Sequence, residues 1–170
     1  MKSFISRIMK KLIYLIPVLI LAMGCNGIYE NGEELAMDLK LSVNQISVED
    51  LKAKLENDEA AFHLVDVRTK AEFEEGFIND SYDYNMYLMP VILPRGIIEY
   101  KISDADYWED FFEDVPDKES SEIIIYSQNG DRGLLAANTL LQLGYKNVSN
   151  LDGGYDKWQS EISKAEITEK

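Results

Sequence analysis

Residues 122–133 read Glu122-Ile123-Ile124-Ile125-Tyr126-Ser127-Gln128-Asn129-Gly130-Asp131-Arg132-Gly133. A β-branched and aromatic run stops at Ser127, a loop with one glycine follows, and a helical pattern starts near Arg132 and runs to Leu143. Gly144 then stands where a helix closes in the left-handed conformation. A short uninterrupted apolar run bounded by turn residues marks a strand buried on both faces, the kind found inside a parallel sheet. In a strand–loop–helix unit of this sort, successive backbone N–H groups converge and the helix dipole adds positive potential. The loop Ser127, Gln128, Asn129, Gly130, Asp131, Arg132 is therefore the first candidate site, and a small anion is its candidate ligand.

The rest of the chain repeats the alternation. Ile46 is a short strand candidate, and Ser47 caps a helix carrying Leu51 and Leu55. Phe62 to Val67 reads as a second buried strand. Thr69-Lys70-Ala71-Glu72 is a capping box that opens a short helix stopped by Gly76. Tyr82 to Met86 is a third strand candidate. Met86 to Tyr100 is apolar and irregular, holding Pro90 and Pro94; it reads as a lid on the sheet or, if exposed, as a surface for a protein partner. Ser103 to Val115 reads as a helix with Trp108, Phe111 and Phe112 as core anchors. Asn147 to Asn150 is the last strand, Gly153-Gly154 a turn, and Tyr155 to Ile162 the last helix. Strands alternating with helices imply an α/β fold with a parallel sheet of about five strands and helices on both faces. Sites in such sheets form where loops leave the C-terminal ends of strands, which selects the loops after Val67 and Tyr126.

Charge divides the chain. There are 17 basic and 31 acidic residues, a net charge of -14. Residues 1–25 hold Lys2, Arg7, Lys10 and Lys11 and no acid, so the remainder is strongly acidic. That excludes a nucleic-acid binder, which needs a basic face. One Cys and one His exclude a disulfide framework and a multi-His metal site, and no metal or other cofactor is expected. The uncharged run Leu12 to Met23, broken by Pro17, is too short to span a bilayer as a helix and reads as the apolar core of an export signal. It ends in Leu21-Ala22-Met23-Gly24-Cys25, which resembles a bacterial lipoprotein box, with Leu21 one position earlier than the usual leucine. The expected organisation is a signal peptide over 1–24, an acidic tether over 25–41 beginning at a lipidated Cys25, a domain over 42–165 and a tail over 166–170. Such a chain is exported and lipid-anchored to a bacterial membrane, on its periplasmic or surface face.

Two stretches together carry a further resemblance. The first is Leu64-Val65-Asp66-Val67-Arg68, Glu72-Phe73, then Gly76-Phe77-Ile78-Asn79-Asp80-Ser81. The second is Ile123 to Arg132, then Leu143-Gly144-Tyr145, then Gly153-Gly154-Tyr155-Asp156-Lys157-Trp158. In order and spacing they resemble the two motifs of the rhodanese-like (sulfurtransferase) domain, across about 100 residues. The resemblance implies a three-layer domain whose loop after the central strand carries a persulfide on a cysteine. Ser127 stands at that cysteine's place. A serine oxygen cannot hold sulfane sulfur as a persulfide, and a hydroxyl needs a general base to act as a nucleophile. His63, at the start of its strand, lies toward the end of the sheet opposite the loops. Four residues separate Ser127 from Arg132, the sulfurtransferase spacing; related cell-cycle phosphatases have one more. Asp66 is expected to accept hydrogen bonds from loop N–H groups, and Arg68 and Glu72 to form an ion pair. The reading that follows is a membrane-tethered binding or interaction module without sulfurtransferase activity. A residual sulfur-transfer enzyme and a structural envelope component are the alternatives.

Overall fold

The computed structural model describes residues 29–57, 61–80, 88–111 and 113–168, with side chains as far as residue 162. Cys25, the apolar run before it and the strand expected over 82–86 lie outside these residues, as does Phe112. The chain divides into two units, Met1–Glu34 and Leu35–Lys170. In the first, Glu34 caps its own surroundings: its carboxylate accepts from the Glu30 N–H, and its N–H donates to the Asn31 side chain.

The elements are α1 (Gly32–Leu39), β1 (Asn44–Ile46), α2 (Val48–Leu55), β2 (His63–Asp66), α3 (Lys70–Glu74), β3 (Val91–Ile92), α4 (Ile98–Lys101), α5 (Ala105–Glu109), β4 (Glu122–Tyr126), α6 (Asp131–Gln142), β5 (Asn147–Leu151) and α7 (Gly154–Thr168). The five strands form one sheet in the order β1-β5-β4-β2-β3, and every pairing is parallel. The expected α/β architecture is the one found.

Two-residue alternation along the strands splits the core in two. Val65, Ile123, Ile125 and Val148 face one side and pack with Ala36, Leu39, Ile98, Trp108, Leu134 and Leu140 from α1, α4, α5 and α6. Leu64, Ile124, Tyr126 and Leu151 face the other and pack with Leu51, Leu55, Tyr155 and Trp158 from α2 and α7. The Trp108 indole N–H is kept bonded in the interior by donating to the Ile102 carbonyl at 3.0 Å.

Local sequence signals act where expected. The Ser47 side chain accepts from the Asp50 N–H, and Thr69 and Glu72 form a full capping box. Gly144 (φ 97°) lies just past the end of α6. Three elements differ from expectation. Residues 25–41 are not tether throughout, because α1 buries Ala36 and Leu39 against the sheet's helices. The long helix expected over 103–115 is the short α5, whose N-cap is Asp104 without a side-chain bond, and α4 precedes it. The edge strand β3 sits inside the apolar 86–100 segment, where Val91, Leu93 and Ile98 are buried while Ile97 and Tyr100 are exposed. No helix among the described residues is long and apolar enough to cross a membrane.

Candidate functional site

Asp66 pairs with Tyr126 at the end of the β2–β4 ladder, so the loops after both strands leave the sheet side by side. Ser127 is the first residue beyond β4 and is fully buried. Its Oγ accepts the Gly133 N–H at 3.1 Å. Gly133 is the third residue of α6, so the hydroxyl satisfies one of the donors that a helix start leaves open. Gly130 takes the N-cap position at φ 95°, which only glycine adopts without strain. Asn129 holds the rim: its Oδ1 accepts the Asp131 N–H and its Nδ2 donates to the Asp131 carboxylate.

The loop is closed from behind by α7. The Tyr155 N–H donates to the Ser127 carbonyl and the Asp156 N–H to the Gln128 carbonyl, each at 2.9 Å. This contact explains the glycine pair. A Cβ on Gly154 would lie 2.2 Å from the Ser127 oxygen and 2.6 Å from the Gly130 nitrogen, both of them backbone atoms. Gly154→Ala is therefore expected to cost about 2–3 kcal/mol, since overpacking adds to a positive φ of +61°. Chemical denaturation measures it, and a loss under 0.5 kcal/mol, roughly the scale of a neutral surface change, would mean that the turn relaxes freely.

The charged residues pair differently from the sequence expectation. Arg68 and Glu72 do not bond each other. Arg68 precedes the cap of α3, so its side chain is not on the helix and turns into the protein. There its Nε and Nη2 donate to Asp66, its Nη2 also to the Gly76 carbonyl at 2.7 Å, and its Nη1 to Gln128 Oε1 at 3.1 Å. The guanidinium lies 4.2 Å from the Tyr155 ring centroid and 5.4 Å from that of Tyr126. Burial opposes its charge, yet the Asp66 carboxylate outweighs that and holds its pKa above the usual value. Among the described residues Asp66 accepts a backbone N–H from Arg68 in its own loop rather than from the 127–132 loop. Burial, with the nearby Asp66 charge, pushes the Tyr126 phenol well above its ordinary range.

Glu72 instead accepts both terminal nitrogens of Arg132, at 2.5 and 2.9 Å, and its Oε2 also takes the Thr69 N–H. The Arg132 bonds lead in lowering its pKa to about 2, against burial, with Thr69 assisting. Gln128 bridges Arg68 to Asp156 on α7, a role that no local pattern announces. Asn150 lies under the first turn of α6, likewise without a local signal; a Cβ on Gly133 would meet its Oδ1 at 2.0 Å. The only pattern pointing to either is the Gly-rich spacing of the loop itself.

Both arginines beside the loop thus spend their charge on carboxylates, while Asp131 and Asp156 stand at its rim. His63 lies at the other end of β2, its Nδ1 3.2 Å from Glu113 and its ring edge-on to Trp108. Glu113 also lines an open cavity of about 410 Å³ with Ala105, Glu109, Asp114 and Val115. Among the described residues no group of three or more His, Cys, Asp or Glu is placed to hold a metal ion.

Residues 47–161 match the model of the rhodanese-like domain. A sulfurtransferase of Allochromatium vinosum is 31% identical over 116 residues, covering 68% of this chain and 88% of that protein. A mitochondrial protein of Schizosaccharomyces pombe, named for thiosulfate sulfurtransfer, is 34% identical over 101 residues; the match spans 58% of this chain and 64%, under two thirds, of that protein. The human single-domain sulfurtransferase shares the fold at TM-score 0.57 and 23% identity, covering 70% of this chain and 97% of that one. Those 115 matched residues, most of the second unit, place this chain in the rhodanese-like domain family.

Proposed function

We propose that the chain is a membrane-tethered rhodanese-like domain that binds a ligand or partner and transfers no sulfur. The observation that carries this reading is Ser127, buried at the base of the loop with its Oγ occupied by the Gly133 N–H. The hydroxyl acts as a helix cap, and among the described residues no basic side chain bonds it. The chain's one Cys, Cys25, precedes the domain and fits the lipoprotein box that would anchor it to a bacterial membrane. Ile97 and Tyr100, exposed in the 86–100 segment, offer the apolar part of a partner surface.

The test is thiosulfate-to-cyanide transfer by the full chain and by Ser127→Cys. The wild type is expected to transfer nothing. The variant places a thiol where the Gly133 N–H and the α6 dipole favour a thiolate, so its pKa is expected below the ordinary value of about 8.5, with slow turnover because Asp131 and the paired arginines leave little positive potential. Ultraviolet titration against the wild type reads the thiolate. Sulfur transfer by the wild type would overturn the reading. An unshifted, inactive cysteine would show that the loop no longer favours anions at all.

A further inference from the structure

We infer that Met37 and Leu41, at the end of α1, form a face that rests on the surface of a zwitterionic lipid bilayer. Among the described residues three large hydrophobic side chains are far more exposed than the others: Leu41 at 90%, Tyr100 at 79% and Met37 at 71%, with the remainder at 36–38%. Met37 lies on α1 and Leu41 in the turn two residues past its end, either side of Leu39, which is buried in the core with Ala36. The helix end and the turn bonds after it, Leu41 N–H to Asp38 and Val43 N–H to Leu39, leave both side chains outward.

The occupant follows from the chain before it. This step rests on the anchoring reading above. Cys25 precedes Met37 by about twelve residues, which span at most ~43 Å even when fully extended. A lipid on Cys25 keeps the bilayer within that reach, so two apolar side chains that would bind lipid only weakly alone meet it at high effective concentration. Charge selects the headgroup. Glu30, Glu33, Glu34 and Asp38 surround the pair in sequence against Lys40 alone, so an anionic surface repels this end of the domain.

The experiment uses the full chain in phosphatidylcholine vesicles, with Met37→Trp, Leu41→Trp and, as a reference, Tyr100→Trp. The native Trp108 and Trp158 are buried and form a common background. Replacing the lipid by its brominated form is expected to quench the added emission about twofold or more at 37 and 41 and to leave it unchanged at 100. Adding anionic lipid at low salt is expected to weaken that quenching; stronger quenching would overturn the headgroup assignment. If the chain floats with the vesicles but positions 37 and 41 are quenched no more than 100, the face is overturned and the tether stands. A chain that does not float with vesicles overturns both, and an apolar protein partner would then be the remaining occupant of the pair.

Discussion

Arg68→Ala is expected to lower the stability of the domain by about 3–5 kcal/mol in urea unfolding at neutral pH. The loss comes less from the missing attraction than from what stays behind. Asp66 is completely buried, and Arg68 supplies its charge partner. Without it the carboxylate is left as an unpaired charge away from water, the costly state for a buried ion. Joint replacement of the pair, Asp66→Asn with Arg68→Met, should recover part of the loss, because no buried charge is then unpaired, although the Gly76 carbonyl and Gln128 Oε1 lose their donor. A single-variant loss under about 1 kcal/mol would show that water reaches Asp66.

Trp158→Ala is expected to cost a similar amount, about 3–5 kcal/mol, as for other large aromatic truncations in a core. Trp158 is 5% exposed and lies one turn after Gly154, among Leu51, Leu55, Leu64 and Ile124. Its ring fixes the first turn of α7, whose N–H groups hold the Ser127 and Gln128 carbonyls. The variant should thus show faster amide exchange at Tyr155 and Asp156 than global destabilisation alone explains. Exchange at those amides that tracks global unfolding would separate the helix anchor from the loop.

What the sequence announces and what it hides follow from the range of the interactions. Ser47, Thr69 with Glu72, and Gly144 act within one helical turn, so their patterns can be read directly. The triple isoleucine of β4 reports burial on both faces without help from any other segment. β3 is only Val91 and Ile92, flanked by Pro90 and Pro94, and is a strand because Val65 and Asp66 lie beside it. No periodicity of its own marks it. α1 hides behind Glu33-Glu34, although Leu35, Ala36 and Leu39 already have helical spacing. The charged pairs mislead for a plain reason. Arg68 and Glu72 are four apart, but a cap residue stands between them and only Glu72 is on the helix. Glu72 finds Arg132 and Arg68 finds Gln128, each about 60 positions away. The loop itself could be located from the sequence; that its hydroxyl serves α6 could not.

The strand order has a consequence for how the molecule is made. Among the described residues β1 pairs only with β5, and Asn44 meets Ser149, about 100 residues later in the chain. At typical synthesis rates that separation lasts about 5–20 s. For all that time β1 has no neighbour, and the strand that joins it to β4 is missing. The N–H groups of Tyr155 and Asp156 that close the Ser127 loop arrive later still. A nascent chain ending before Asn147 should thus hold β2, β3 and β4 as an open-edged sheet, bind chaperones and resist proteolysis poorly; release of the final helix should complete the sheet and the loop in one step.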